Sequence, residues 1–339
     1  MKNTLGVGKV PSDVLEKLLA RAPVDDPRVL LGPGIGLDCA VVDAGENLLV
    51  FKSDPITFTT DEMGKYLVQI NANDIATTGA RPRWLLATLL LPESRTTAEL
   101  VEDILEQIYA ACRTLEISLI GGHSEITHGL DRPVIVGSLI GEVPRQQLVT
   151  PRGASPGDRV LLTKGVPIEA TAILAREFPD RLSSRLEPEE MEQARNFLSE
   201  PGIGVLRDAR LAVTAGRVTA MHDPTEGGLA TALWELAQAS ERSLLIDPKK
   251  VLVPPLAARV MDVFGLDPLA AIASGALLLT VAVEDASDVR HALEAAGINC
   301  TDLGVVEEGP VGVWQETEGG REKLAYPEKD EIARVFGEK

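Results

Sequence analysis

The sequence has no long apolar run, no closely spaced cysteines and no excess of basic residues. Its longest apolar stretch, around residues 85 to 91, falls well short of the roughly 18 residues that a membrane-spanning helix needs. The first six residues lack the apolar block of a signal peptide. We therefore expect a cytoplasmic protein without a membrane-spanning segment.

Cysteine is scarce, and its three occurrences are widely separated: Cys39, Cys112 and Cys300. Without a C-x-x-C pair, neither a disulfide framework nor a zinc site is predicted. Cys112 falls on the apolar stripe of a predicted helix, and Cys300 lies in a predicted strand, so both are expected to pack in the core. Cys39 stands beside Asp38, where a packing role and a catalytic thiol are both open.

Positive charge is in the minority, with 33 Lys and Arg against 51 Asp and Glu and a formal net charge of −18. A nucleic-acid backbone would be repelled by this surplus, and no basic patch is visible along the chain. We therefore expect no nucleic-acid partner. The acidity is compatible with an ATP enzyme, because Mg²⁺ can bridge carboxylates to phosphate.

Length and composition indicate two domains of mixed helix and sheet. The chain has 339 residues, of which 45% are hydrophobic and 25% are charged. Two prolines and two glycines within residues 149–158 interrupt regular structure, so we predict an N-terminal domain over 1–149 and a C-terminal domain over 150–339. Strand and helix patterns occur in both, which predicts an α+β fold.

Capping patterns and apolar periodicity predict several helices and strands along the chain. One helix is predicted to start at Thr59, with Glu62 as its capping-box partner, and to end before Gly79, so that Asp74 lies near its C-terminal end. A second is predicted after Thr96, with Glu99 as the capping partner. In the C-terminal half we predict a strand over 159–163, a helix from about 168, a helix directly after the 227–228 glycine pair, and strand, helix and strand over 276–306.

Four short motifs set a carboxylate beside glycine or other small residues: residues 34–40 (GIGLDCA), 53–54 (SD), 71–74 (NAND) and 222–228 (HDPTEGG). Mg²⁺ prefers hard oxygen ligands, and small residues let backbone approach a phosphate. We interpret the set as an ATP site, with Asp38, Asp54 and Asp74 as the first candidates for metal ligands. Taken singly, Asp38 could equally stabilise a turn, and Asp74 the end of a helix.

The same blocks, in this order, resemble the aminoimidazole ribonucleotide (AIR) synthetase-like ATP enzymes from about residue 8 to about residue 309. That family includes hydrogenase-maturation carbamoyl dehydratases, selenophosphate synthetases and thiamine-phosphate kinases. The resemblance implies ATP and Mg²⁺ as cofactors, with metal ions held by the aspartates at 38, 54 and 74 and, in some members, the one at Asp223. It also implies a homodimer in which strands of the N-terminal domains form a shared barrel, with ATP near the interface.

The resemblance and the residue types together give a set of candidate nucleotide contacts: Lys9, Asn73, Gly121, Gly122, His123, Gly227 and Gly228. The glycine pairs are expected where backbone approaches a ligand, and the amides that start the helix after Gly228 are expected to face an anion. For His123 a buried, hydrogen-bonded histidine is the alternative. For Lys9 the alternative is a solvated side chain, and for the second glycine pair a simple turn.

Family members use ATP to phosphorylate an amide-like or carbonyl oxygen, so the resemblance implies ATP-dependent phosphoryl transfer to a small-molecule or protein-borne acceptor. The blocks most resemble the hydrogenase-maturation type, but this sequence has Glu226 where many of those proteins have arginine, and it ends without their Pro-Arg-X-Cys tail. We therefore expect no thiocyanate on its own tail. Two alternatives stay open: a non-catalytic ATP-binding maturation or assembly factor, and a thiamine-phosphate kinase-like enzyme. No general base is assigned.

Overall fold

The structure, a computed structural model, describes residues 5, 10–57, 59, 61–317 and 319–337. The strands in chain order are β1 Val29–Leu31, β2 Ala40–Asp43, β3 Asn47–Ile56, β4 Arg81–Pro92, β5 Ser118–Thr127, β6 Val134–Pro144, β7 Arg159–Thr163, β8 Val218–His222, β9 Ser243–Ile246, β10 Leu278–Val281, β11 Cys300–Glu307, β12 Gly312–Thr317 and β13 Gly320–Lys323. The helices are α1 Ser12–Leu19, α2 Met63–Thr77, α3 Ala98–Leu115, α4 Ile168–Glu177, α5 Pro179–Leu182, α6 Pro188–Arg195, α7 Leu206–Ala215, α8 Gly228–Ser240, α9 Pro255–Phe264, α10 Ala286–Ala295 and α11 Glu331–Gly337.

The chain forms two compact units. The N-terminal unit comprises residues 24–32 and 38–148, and the C-terminal unit comprises residues from 149 onward together with the described part of 1–23 and with 33–37. The predicted boundary at 149/150 thus lies one residue from this division. The early segments differ from the prediction, since they group with the C-terminal unit. Helix α1, for example, lines a cavity there with Gln238 and Ser240.

The N-terminal unit is built on a mixed sheet whose described strands run in the order β1-β2-β3-β6-β4-β5. Among the described strands, only β4 and β5 pair in parallel; the other pairs are antiparallel. Helix α2 packs on β3 and β6, and α3 packs on α2. Close approach of α2 depends on Gly137 of β6, because a Cβ at that position would lie 2.6 Å from Asn71 Nδ2.

The predicted start of α2 is wrong by four residues. The Thr59 hydroxyl does not cap the helix but accepts a hydrogen bond from Asp61 N at 3.1 Å, within a local turn. Glu62 then adopts a left-handed backbone conformation (φ 51°), and the helix begins at Met63. Asp74 lies near the C-terminal end of α2, as predicted. The helix ends at Thr77, before Gly79.

The cap of α3 is one residue later than predicted. Thr97 Oγ1 accepts the hydrogen bond from Leu100 N at 3.3 Å. The Thr96 hydroxyl is engaged elsewhere, since it donates to Pro92 O at 2.7 Å. Cys112, which was predicted to lie on the apolar stripe of this helix, is buried together with Ile104 and Ile108.

The C-terminal unit contains a sheet whose described strands run in the order β13-β12-β9-β11-β7-β10-β8. The predicted strand at 159–163, the helices starting at 168 and 228, and the strand, helix and strand over 276–306 are confirmed. Helix α8 packs into the core through Leu229, Leu233 and Leu236, against sheet residues such as Leu278 and Leu303. This packing fixes the loop between β8 and α8, which carries the HDPTEGG motif.

Two of the three cysteines were predicted to pack in the core. Cys112 and Cys300 are buried, as predicted. Burial raises the pKa of the Cys112 thiol to about 11 and that of Cys300 to about 12, so both remain protonated.

Within the part of the chain that the structure describes, no helix combines the length and the apolar character needed to cross a membrane.

Candidate metal and nucleotide site

Three predicted metal-binding carboxylates of the N-terminal unit surround the side chain of Lys52. Lys52 Nζ lies 3.1 Å from Asp54 Oδ2 and 3.3 Å from Asp74 Oδ1. Asp38 also acts on the ammonium through its charge. The structure therefore brings Asp38, Asp54 and Asp74 together, although they come from the segment before β2, from β3 and from α2.

The strand geometry of β3 explains why Lys52 and Asp54 share a side. Side chains two residues apart on a strand point to the same face, and the positions of this face are buried or half-buried from residue 48 to residue 56. The intervening positions 51, 53 and 55 are exposed. Helix α2 covers the inward face and places Asp74, whose side chain is only 3% exposed, against Lys52.

Asn71 attaches α2 to β3 at the site. Its Oδ1 accepts a hydrogen bond from Asp54 N at 3.1 Å, and its Nδ2 donates to Leu67 O at 2.9 Å within the helix. A fully buried asparagine needs such partners, because an unsatisfied amide in the core is costly. Asn71 therefore fixes the backbone that carries one carboxylate against the helix that carries another.

Cys39 is buried, and its thiol donates a hydrogen bond to Asp74 O at 3.3 Å. This contact ties the segment that carries Asp38 to the end of α2. The geometry gives Cys39 a packing role in the site and supports that alternative over a catalytic thiol.

The electrostatics of the cluster favour a cation. Burial by itself would lower the pKa of the Lys52 ammonium, but the charges of Asp74, Asp38 and Asp54 outweigh burial and raise its pKa well above the usual range. Three carboxylates and one ammonium leave two formal negative charges. Hard oxygen donors with this residual charge suit one Mg²⁺ ion, so the residues present fit the metal that the motifs imply.

Two other candidates of the N-terminal unit have different positions. Asn73 is fully buried, and its Oδ1 accepts a hydrogen bond from Gln69 Nε2 at 3.3 Å, one helical turn earlier. Its proposed nucleotide contact stays a prediction. Lys9 lies outside the described residues, so the structure gives no position for its ammonium group.

The Gly121-Gly122-His123 segment lies on β5, the edge strand of the sheet. The histidine is exposed, and its Nε2 lies 3.2 Å from Glu125 Oε2, so the buried alternative is wrong. Gly122 is required by strand pairing: a Cβ there would lie 1.8 Å from Ala87 O. At Gly121 a Cβ would meet only the Leu86 side chain, at 3.3 Å. The close backbone approach at Gly122 is therefore to the neighbouring strand.

In the C-terminal unit, the HDPTEGG motif follows the end of β8. Asp223 is buried, and the preceding His222 is buried too, with its Nε2 2.7 Å from Glu235 Oε2 on α8. The histidine and glutamate pair joins the strand end to the second turn of the helix and fixes the imidazole orientation. Asp223 thus starts a loop that is held rigidly at its first residue.

The predicted anion contact at the start of α8 is not supported. Gly227 N donates to Asp330 Oδ2 at 2.6 Å, Gly228 N donates to Thr225 O at 2.9 Å, and Ala230 N donates to Leu269 O at 2.9 Å. Amides that already bond within the protein are not available to a phosphate. Both glycines have positive φ, and a Cβ at Gly228 would lie 2.6 Å from Leu269 O and Ala271 O, so the pair serves tight packing.

The surroundings of this loop are acidic. Burial raises the pKa of Asp330 to about 6, against the hydrogen bonds that it accepts from Gly227 and Ile332. Burial also raises the pKa of Glu169 to about 7; hydrogen bonding to Ser274 opposes the shift, and the charges of Asp330 and Glu226 add to it. Burial thus favours the neutral form of both carboxyl groups near this loop.

Sequence reasoning missed Lys52, Glu235 and Asp330. Lys52 was identifiable in principle, because it occupies an inward position in the alternating pattern of β3, where a charged side chain is unusual. Glu235 could be found as the polar residue on the buried side of an apolar helix. No local pattern shows that Asp330 bonds to Gly227, which is 103 residues away.

Comparison with known proteins places the chain in a family. Residues 36–143 match the N-terminal domain of AIR synthase related proteins, and residues 155–315 match the C-terminal domain of the same proteins. A hydrogenase expression/formation protein of Methanocaldococcus jannaschii is 30% identical over 317 residues, which cover 89% of this chain and 90% of that protein. The carbamoyl dehydratase HypE of Cupriavidus necator is 28% identical over 291 residues, covering 83% of this chain and 78% of that protein.

The fold agrees with a solved structure as well. The hydrogenase maturation protein HypE in complex with ATP superposes with a TM-score of 0.70 at 24% identity, covering 96% of this chain and 97% of that one. At this identity the likeness concerns the fold, and it confirms the two-domain α+β architecture. The sequence matches confirm the resemblance that the motifs indicated: the chain belongs to the AIR synthase related protein family.

Proposed function

We propose that this protein is a Mg²⁺-dependent ATP enzyme that phosphorylates an amide-like or carbonyl oxygen of a small-molecule or protein-borne acceptor. The observation that carries the proposal is the convergence of Asp38, Asp54 and Asp74 from three segments around one buried ammonium. Burying several carboxylates close together is energetically unfavourable, and a cationic ligand would offset that cost. The names of its relatives, a carbamoyl dehydratase and a HypE bound to ATP, agree with ATP-dependent chemistry.

In this proposal Asp38, Asp54 and Asp74 hold Mg²⁺, which when bound neutralises the charge of the nucleotide phosphates. The protein's own contribution is positioning. Asn71 and Cys39 keep the three carboxylates in place through their contacts with Asp54 N and Asp74 O. Asp223, held beside the His222–Glu235 pair, is a candidate for a further metal contact or for orienting the acceptor.

The acceptor belongs to the class that the relatives' names indicate, a carbamoyl-like group with a phosphorylatable oxygen. Phosphorylation converts that oxygen into a good leaving group, after which loss of phosphate completes a dehydration. Glu226 stands in the HDPTEGG loop next to Asp330, so we expect this loop to disfavour an anionic acceptor.

We also propose that the protein acts as a homodimer through β5. This edge strand is exposed along nearly its whole length, and it carries Ile120 and Ile126, which are 55% and 60% exposed. A long exposed edge with apolar side chains is a surface that another strand readily covers. A second copy of the chain fits, because the same edge is then buried on both partners.

The test of the proposed activity is ADP formation from ATP with and without Mg²⁺, across a panel of carbamoylated small molecules and a carbamoylated cysteine peptide. We expect Mg²⁺-dependent ADP release that rises with one acceptor of the panel. Tight ATP binding without turnover on any acceptor would instead favour a non-catalytic maturation factor. Turnover without added Mg²⁺, in the presence of a chelator, would contradict the metal assignment.

A further inference from the structure

Lys52 is a buried cation inside a cluster of carboxylates. Only 10% of its side chain is exposed, and its ammonium bridges Asp54 Oδ2 and Asp74 Oδ1 at 3.1 and 3.3 Å. A lysine loses much of its hydration in such a place, and only opposite charges at close range compensate for that loss. Both its burial and its contacts therefore depend on the cluster.

The other lysine of this region behaves differently. Lys65 on α2 is 34% exposed and pairs with Glu62 at 3.6 Å, one turn apart on the helix surface. Pairs of this kind contribute little to stability, because water screens them. The contrast shows that the position of Lys52 is not a general feature of the lysines near α2. It also supplies a matched control.

The Lys52 ammonium contacts one oxygen of Asp54 and one of Asp74, two oxygens that could otherwise hold a metal ion. A divalent ion shared by Asp54 and Asp74 would have to approach the same two oxygens, at distances close to 2 Å. The Lys52 ammonium already lies between them, and it brings one positive charge where such an ion would bring two. Ammonium and metal cannot both occupy this point.

We propose that Lys52 takes the place of one divalent ion in the carboxylate cluster and so sets how many such ions the cluster binds. The inference deepens the proposed function, because it concerns the same carboxylates. Lys52 is a positioning residue in this account: it holds Asp54 and Asp74 together when no metal is present. With Lys52 in place, the three carboxylates keep two formal negative charges, which a single divalent ion would neutralise.

The test counts bound Mn²⁺, a spectroscopically visible substitute for Mg²⁺, by equilibrium dialysis of the full-length protein without nucleotide. Lys52→Met removes the charge and keeps the length of the side chain. We expect K52M to bind one more Mn²⁺ per chain than the natural protein, or to bind the same site at least about tenfold more tightly. Lys65→Met and Lys52→Arg are expected to match the natural protein. Equal Mn²⁺ number and affinity in K52M and the natural protein would overturn the proposal.

Thermal unfolding gives a second readout. Without metal, K52M is expected to melt at a lower temperature than K65M, because three carboxylates then repel one another, and Mn²⁺ is expected to restore the melting temperature. The double variant Lys52→Met with Asp54→Asn removes one charge of each sign. It is expected to recover stability without metal and to lose the added Mn²⁺. If it is no more stable than K52M, and Mn²⁺ does not restore K52M, the role of Lys52 is packing alone.

The outcomes separate the two proposals. If the natural protein binds no Mn²⁺ and K52M binds one ion, Lys52 replaces the metal entirely and the metal-dependent function fails. If the natural protein binds Mn²⁺ and K52M binds no more, the function stands and the inference about Lys52 fails.

Discussion

Each unit contains a buried ionisable side chain, Lys52 in the N-terminal unit and Glu169 in the C-terminal unit. In the N-terminal unit the ammonium of Lys52 offsets part of the charge of three carboxylates. In the C-terminal unit Glu169 of α4 is buried and hydrogen-bonds to Ser274, and the charges of Asp330 and Glu226 add to the rise in its pKa. Burial therefore raises the pKa of Glu169 and favours its neutral form.

The pH dependence of stability tests this assignment. The pKa of Glu169 is raised to about 7 from an ordinary value of 4.5, so its contribution to stability is complete below pH 4.5 and is lost as the pH rises through 7. The loss amounts to about 3 kcal/mol at most. Glu169→Gln stays neutral at every pH, and we expect it to flatten urea-unfolding stability between pH 5 and pH 8.

The exposed Glu189 on α6 provides the control for this measurement. Glu189→Gln is expected to leave the pH dependence of unfolding as it is in the natural protein. Parallel pH profiles for the natural protein and Glu169→Gln would show that Glu169 is already ionised in the folded state.

Local sequence pattern accounts for the carboxylate cluster around Lys52 better than for the loop before α8. Asp38, Asp54 and Asp74 were identifiable because each stands in a recognisable short motif, and the alternation along β3 also points to Lys52. The start of α8 is a different case. The amides of Gly227 and Ala230 donate hydrogen bonds to Asp330 Oδ2 and Leu269 O. These acceptors are distant in sequence and come close only in the folded chain.

At the scale of elements, the site depends on how closely α2 lies on the sheet. Asn71 and Leu67 of the helix contact Gly137 of β6, where a Cβ would lie 2.6 Å from Asn71 Nδ2 and 3.2 Å from Leu67 Cδ1. The same asparagine bonds to the backbone of Asp54. Displacing α2 would therefore separate Asp74 from the carboxylate on β3.

A double-mutant cycle tests this dependence. Gly137→Ala is expected to destabilise the protein by about 1–3 kcal/mol through overpacking, and Asn71→Ala by about 1–3 kcal/mol through lost hydrogen bonds. Because the added methyl group and the removed amide meet at one point, the double variant is expected to be less destabilised than the sum. Strict additivity in urea unfolding would show that the two residues do not touch.

Element positions were predictable where apolar periodicity was long, as on α3 and α8, and less so at the helix starts. Thr59 and Thr96 both fit a capping pattern by spacing. In the structure their hydroxyl groups make other local bonds, with Asp61 and Pro92. Several threonines close together compete for the same role, and only the folded backbone decides between them.

At the scale of the whole molecule, the exposed edge at β5 is the surface that the chain offers to a second copy. Ile120 and Ile126 are two of its largest exposed apolar side chains. They lie at positions 120 and 126 of this edge strand, on either side of His123. A dimer that covers this edge would also cover His123, whose side chain is otherwise exposed.

Sedimentation equilibrium tests the dimer. The natural protein is expected to sediment as a dimer and Ile126→Lys as a monomer, because an ammonium at the centre of an apolar contact loses its water without a partner. Val283→Lys is the control, since Val283 is 61% exposed but lies in the C-terminal unit. A monomeric natural protein, or an unchanged mass for Ile126→Lys, would exclude an interface at β5.

Asp38, Asp54 and Asp74 are proposed to hold a metal ion that in turn holds ATP. Calorimetric titration of ATP with Mg²⁺ into the natural protein, Asp74→Asn and the exposed-residue control Asp103→Asn tests it most directly, with ADP followed in the same samples. We predict that ATP binds the natural protein and Asp103→Asn alike and that Asp74→Asn loses at least about tenfold in affinity, equivalent to ~1.4 kcal/mol. Equal binding to Asp74→Asn, or no binding to the natural protein, would contradict the assignment of this site.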